Sequence, residues 1–123
     1  MRAKRIVSIV DDDESVRESL PDLVRQFGFA TETFSSAEEF LASETLNHTA
    51  CLILDVALPG MSGPDLHREL KRRDRTIPVI FVTAYEAESA SLRNLPGPNV
   101  RLLIKPFSDT ELLGALNIVV QDQ

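Results

Sequence analysis

The stretch Ile6-Val7-Ser8-Ile9-Val10-Asp11-Asp12-Asp13-Glu14 decides how this chain is read. Five short, mostly β-branched residues end abruptly at four acids. A run of that length and composition predicts a buried strand, and the acids place charge at its carboxyl end. The same beat recurs along the chain. Ala30 to Phe34 is a weaker extended stretch. Cys51-Leu52-Ile53-Leu54-Asp55-Val56, Pro78-Val79-Ile80-Phe81-Val82 and Val100 to Ile104 are further strand candidates, Arg101 being the only charge in the last. Short continuous apolar runs suit strands covered on both faces, as in a parallel sheet.

Helical patterns fill the gaps. Val16, Leu20, Leu23 and Phe27 step by 4, 3 and 4 along one face, with Gly28 as the stop. Pro21 interrupts that pattern and predicts a kink, since an interior proline costs ~3 kcal/mol. Ser36-Ala37-Glu38-Glu39 and Ser108-Asp109-Thr110-Glu111 read as capping boxes, and Ser62-Gly63-Pro64-Asp65 follows the same logic. Strand and helix thus alternate five times, the fourth helix being the least marked. Such alternation gives a doubly wound α/β fold, a parallel sheet with helices on both faces and right-handed crossovers. Leu95-Pro96-Gly97-Pro98-Asn99 is a turn cluster too short to divide domains, so residues 1–123 read as one domain.

Composition narrows the function. The 123 residues carry 19 acids and 13 bases, a formal net charge of −6, which argues against direct nucleic acid binding by this domain. Asp11 to Glu14 supply four of those six charges (−6 + 4 = −2 without them). Hydrophobic content of 43% and charged content of 26% are those of an ordinary globule. No apolar stretch approaches the ~18 residues of a membrane span, and Ile6–Val10 is too short for a signal peptide's apolar region. A cytoplasmic protein without membrane contact is therefore predicted. The single Cys51 excludes a disulfide framework and a multi-cysteine zinc site, and reads as a core residue. His48 and His67 read as surface residues. Phe27, Phe29, Phe34, Phe40 and Phe81 read as core, and Tyr85 as either surface or recognition.

Ligands of open α/β sheets collect at the carboxyl ends of the strands. Those ends carry Asp11 and Asp12, Asp55, Thr83-Ala84, and Lys105-Pro106. Clustered carboxylates want a cation, and a hard oxygen set favours Mg²⁺. A carboxylate can also act as nucleophile and form an aspartyl-phosphate. A metal, a lysine and a hydroxyl would neutralise and orient the transferred group.

In these motifs the chain resembles the receiver domain of two-component response regulators. The matching pieces are Val10-Asp11-Asp12, Leu54-Asp55-Val56 with Leu58-Pro59-Gly60-Met61-Ser62-Gly63, Val82-Thr83-Ala84 and Lys105-Pro106-Phe107. Ile9 to Glu18 and Asp55 to Asp65 are most similar to regulators of the nitrogen-fixation (FixJ-like) type, which often carry a helix-turn-helix output domain. The resemblance implies a flavodoxin-like (βα)5 fold with strand order 2-1-3-4-5. It implies that Asp55 accepts a phosphoryl group from a sensor histidine kinase or phosphotransfer protein, with self-phosphorylation from small donors and slow autodephosphorylation. Asp11, Asp12, Asp55 and the backbone carbonyl of Ala57 would hold Mg²⁺, or Mn²⁺. Lys105 would pair with a phosphoryl oxygen, Thr83 would move inward to donate a hydrogen bond, and Ala84 follows it in the switch loop. The Lys105–Pro106 bond would be cis, and Gly63 would permit the turn before the third helix. The change would pass to an output domain or partner, with a phosphorylation-linked homodimer as a further implication.

Two positions depart from the family's usual pattern. Leu102 stands where the family usually has an aromatic that swings with the threonine, and a leucine offers neither ring nor phenol. Pro96-Gly97-Pro98 replaces Gly-Ala and predicts that the fourth helix ends by Asn94. Two alternatives compete with the switch. One is a haloacid-dehalogenase-type phosphatase using Asp11 and Asp13, against which stand Ser15 and the lack of a cap domain. The other is a degenerate receiver that only binds proteins, against which stands retention of the pocket residues. A flavin site is disfavoured because no Ser/Thr/Gly-rich phosphate loop follows the first strand.

Overall fold

A computed structural model describes residues 4–84 and 99–120 of the chain. Five strands, β1 (Ile6–Val10), β2 (Ala30–Phe34), β3 (Thr49–Asp55), β4 (Val79–Thr83) and β5 (Val100–Ile104), form one sheet. Every pairing is parallel, and the order is β2-β1-β3-β4-β5. The helices are α1 (Glu14–Gln26), α2 (Ala37–Leu41), α3 (Gly63–Arg72) and α4 (Asp109–Val120), with a 3₁₀ turn at Glu44–His48. The fourth helix predicted between β4 and β5, Tyr85 and Pro96-Gly97-Pro98 lie outside the described residues.

The continuous apolar runs are explained by two cores, one on each face. Successive strand residues point to opposite faces. Val7, Ile9, Cys51, Ile53, Ile80 and Val82 therefore pack with Leu20 and Val24 of α1 and with Leu112, Leu116 and Val119 of α4. Val10, Leu52, Leu54, Val79 and Phe81 pack on the other face with Phe40 of α2, Leu46 of the 3₁₀ turn, and Leu66 and Leu70 of α3. A strand with helices on both sides has no face left for the polar half of an alternating pattern.

Local chemistry sets the boundaries. Asp13 caps α1 by accepting the Ser15 N–H. Ser62 and Asp65 form a reciprocal capping box on α3, and Ser108 and Glu111 do the same on α4. On α2 the box is half made. Ser36 accepts the Glu39 N–H, while the Glu39 carboxylate takes the Ser35 hydroxyl instead of returning to the cap. Gly28 follows α1 at φ +98, where a side chain would be strained.

α1 runs on through Pro21, which is buried with Leu20 and Val24. Other expectations need correction. β3 begins at Thr49, two residues early, where Thr49 pairs with Ile6 of β1 and its hydroxyl meets that of buried Ser8 at 2.7 Å. It ends at Asp55, and β4 runs on to Thr83. His67 is not a surface residue. It is 5% exposed, and its ring stands edge-on to Phe81 at 5.6 Å. Its place on the Leu66–Leu70 face of α3 turns it inward, whereas His48 is exposed. Phe34, Phe40 and Phe81 are buried, and Phe27 and Phe29 are half-buried against the first core.

Candidate functional site

Three strand ends and one loop bring the predicted residues together. Asp11 directly follows β1. Its N–H donates to the Phe34 carbonyl at 3.1 Å, which continues the β1–β2 ladder and turns the side chain inward, where it is 3% exposed. Asp12 remains exposed. Asp55 is the last residue of β3 and is 9% exposed. One carboxylate oxygen from each of Asp11, Asp12 and Asp55 lies within 4.8 Å of the others.

Each acid is held differently. Asp11 Oδ1 accepts the Asp13 N–H at 2.9 Å, and Asp11 Oδ2 faces Lys105 Nζ at 3.3 Å. Asp55 Oδ1 accepts the Ala57 N–H at 3.2 Å. Burial pushes the Asp55 carboxyl up to about 6, and the negative charges of Asp11 and, less strongly, Asp12 add to it. Lys105 and the Ala57 N–H oppose that rise without cancelling it. The pocket thus holds more negative charge than its one lysine compensates.

The remaining predicted residues frame this pocket. Thr83 ends β4 and is fully buried, and its carbonyl accepts the Lys105 N–H at 2.8 Å. Ala84 is exposed beside it. The Lys105–Pro106 peptide is cis. Gly63 is required by space, because a Cβ there would lie 2.4 Å from the Asp55 carbonyl oxygen. Leu102 is half-buried against the core that contains Phe81, so it fills apolar space where a swinging aromatic was absent from the sequence. A cavity of about 310 Å³ adjoins the pocket between α1 and the loop after β5, lined by Val16, Leu20, Lys105 and Phe107 among others.

Two residues of this neighbourhood were not singled out from the sequence. Arg17 on α1 donates from Nη1 to the Asp11 carbonyl at 2.8 Å. Glu38 on α2 accepts the Met61 N–H at 3.1 Å, in the loop after Asp55. Neither sits in a spacing that marks it, since both partners are backbone groups brought near by the fold.

The sequence profile described as "Response regulator receiver domain" matches residues 7–117. The chain belongs to this family. As a receiver domain it is similar to Nodulation protein W of Bradyrhizobium diazoefficiens, 45% identical over 113 residues, covering 92% of this chain and 50% of that protein. It is 33% identical over 110 residues to the transcriptional regulatory protein FixJ of Azorhizobium caulinodans, covering 89% of this chain and 52% of the relative. Among solved structures, the response regulator StyR superposes with a TM-score of 0.81 at 37% identity, over 97% of this receiver and 60% of that chain. The receiver therefore spans about half the length of these curated relatives. The resemblance to nitrogen-fixation regulators holds. The phosphatase alternative finds no support, and Asp13, which it required beside Asp11, is spent on the α1 cap. Its Oδ1 accepts both the N–H and the hydroxyl of Ser15, which hold the carboxyl below its ordinary range.

The donor set fits a hard divalent cation. All three nearby side-chain ligands are carboxylate oxygens, and the surplus negative charge is of the kind a cation relieves. Among the described residues no helix is long and apolar enough to cross a membrane.

Proposed function

We propose that residues 1–123 act as a phosphorylation-dependent switch in which Asp55 accepts a phosphoryl group from a phosphohistidine on a sensor histidine kinase or phosphotransfer protein. An Asp55 carboxylate oxygen attacks phosphorus, a P–O bond forms and the P–N bond breaks. The histidine leaves with the electron pair. A carboxyl near 6 is mostly ionised at neutral pH, so Asp55 is available as the nucleophile. Asp11, Asp12, Asp55 and the Ala57 carbonyl would hold Mg²⁺, with Mn²⁺ as a substitute. Bound there, the cation supplies charge neutralisation for the phosphoryl oxygens.

Lys105 contributes the fixed positive charge. It is already held at the pocket by Asp11 and can turn to a phosphoryl oxygen without leaving the site. Thr83 supplies a hydroxyl at the end of β4, and its movement toward the phosphoryl group, with Ala84, carries the change to the surface. The cavity beside α1, which shares Lys105 with the carboxylate pocket, gives the donor protein an apolar foothold. The output is a following domain or a separate protein, with homodimerisation as one form of it. Small acyl phosphates serve as donors, and autodephosphorylation is slow.

The observation that carries this reading is Asp55, buried at a strand end among two other carboxylates and beside a pinned lysine. Incubation with Mg²⁺ and a small acyl phosphate, followed by intact-mass measurement, tests it. One phosphoryl adduct per chain is expected, labile in base and lost with chelator or in Asp55→Ala. An adduct that survives Asp55→Ala would sink the proposal.

A further inference from the structure

The loop that follows Asp55 is tied to a helix far from it in sequence. Between β3 and α3 the chain runs from Val56 to Ser62 and includes Ala57, whose N–H holds Asp55 and whose carbonyl is assigned to the cation. At its start the loop is tied to the sheet, the Val56 N–H donating to the Val82 carbonyl at 3.0 Å. At its end it closes locally, the Gly63 N–H returning to the Val56 carbonyl at 3.1 Å and Ser62 exchanging bonds with Asp65. Between them a side chain from a distant helix holds it: Glu38 of α2, 23 residues away, accepts the Met61 N–H at 3.1 Å.

The same oxygen lies against the neighbouring residue. Gly60 adopts φ +74, and a Cβ built there would lie 2.7 Å from Glu38 Oε2, so the carboxylate rests directly on the loop backbone. The positive φ is what calls for glycine. Glu38 stands in the first turn of α2, where an acid suits the helix N-terminus, but it takes no part in the cap, which Ser36 makes with the Glu39 N–H. Its carboxylate meets the loop at Met61 instead.

We infer that Glu38 is a positioning residue for the phosphoacceptor loop. By fixing Met61, its carboxylate sets where Ala57 stands relative to Asp55, and thereby how well the Ala57 carbonyl completes the cation site. The inference rests on the reading of Asp11, Asp12, Asp55 and Ala57 as that site. A charge-assisted hydrogen bond at the surface is modest, so the effect is a shift in affinity and not its loss.

The test is a Mg²⁺ titration of the whole chain followed by backbone amide NMR, with amide hydrogen exchange at Met61 measured in parallel. In Glu38→Ala, Met61 should exchange about tenfold faster, and the Mg²⁺ midpoint read at Ala57 should rise roughly threefold to tenfold. In Glu38→Gln, whose side-chain carbonyl can accept the same N–H, both should stay within about twofold of wild type. An unchanged midpoint in Glu38→Ala overturns the inference. So does a Glu38→Gln protein as impaired as Glu38→Ala, because charge and not the hydrogen bond would then be responsible. Absence of any Mg²⁺ response in wild type overturns the reading of the carboxylate site itself, which separates the two failures.

Discussion

Replacing Asp55 by asparagine should stabilise the metal-free protein, although it removes the phosphoacceptor. In the folded chain the Asp55 carboxyl is moved from 3.8 to about 6, first by burial and then by the Asp11 charge. The folded state binds this proton more tightly than the unfolded state. Below about pH 4 the group is protonated in both states and contributes nothing. As pH rises toward 6 the unfolded chain ionises freely while the folded one resists, so stability falls, and above about 6 the penalty is constant. A shift of about two units at 1.36 kcal/mol each sets a ceiling near 3 kcal/mol. Solvent at the pocket mouth and salt screening reduce it, so a gain of about 1–3 kcal/mol is expected for Asp55→Asn at pH 7.5. Asparagine keeps an oxygen for the Ala57 N–H, so this hydrogen bond does not confound the comparison. Urea unfolding in chelator, followed by far-UV circular dichroism, reads the gain as a midpoint raised by about 0.5–2 M. Added Mg²⁺ should narrow the difference, because wild type binds it more tightly and gains more. The reasoning is refuted if Asp55→Asn is no more stable than wild type at pH 7.5 in chelator, or if its gain persists undiminished at pH 4.

Other positions give further checks. Lys105→Met removes the charge that opposes the rise at Asp55, so the Asp55 carboxyl should titrate above 6 by carbon-detected NMR, and a downward shift would contradict the charge balance. Gly63→Ala forces a Cβ to 2.4 Å from the Asp55 carbonyl oxygen. It should cost about 1–3 kcal/mol in urea unfolding and slow phosphorylation, and a variant unaffected in both would contradict the packing. His67 lies below its ordinary 6.5, because of burial first and then the charges of Lys71 and Arg68. Its unfolded form takes up the proton first, so stability is present above about 6.5 and falls with pH below that value. His67→Phe should flatten this part of the wild-type stability profile between pH 7 and 5, and an unchanged slope would assign the dependence elsewhere.

Much of this was legible because the parallel sheet imposes simple rules. Apolar runs such as Ile6–Val10 and Val79–Val82 are strands buried on both faces, and ligand groups must follow them at their carboxyl ends. Asp11, Asp55, Thr83 and Lys105 were therefore found without any contact being known. What escaped has a common cause. His67 was misplaced because a histidine carries no strong burial signal, and its position on the α3 face is decided by packing on Phe81. Arg17 and Glu38 act on backbone groups of distant segments, and no side-chain pattern records a backbone partner. The Thr49 extension of β3 is a pairing with Ile6, accompanied by a hydroxyl pair with Ser8, that exists only when β1 and β3 are side by side.

The central claim is that Asp55, and not one of its neighbours, carries the phosphoryl group. Borohydride reduces an aspartyl-phosphate to homoserine and leaves free carboxylates untouched. Phosphorylated protein should be reduced, digested and mapped by peptide mass spectrometry. Homoserine at position 55, dependent on Mg²⁺ and on the donor, is the predicted result. Homoserine at Asp11, Asp12 or Asp13, or none at any position, would contradict it.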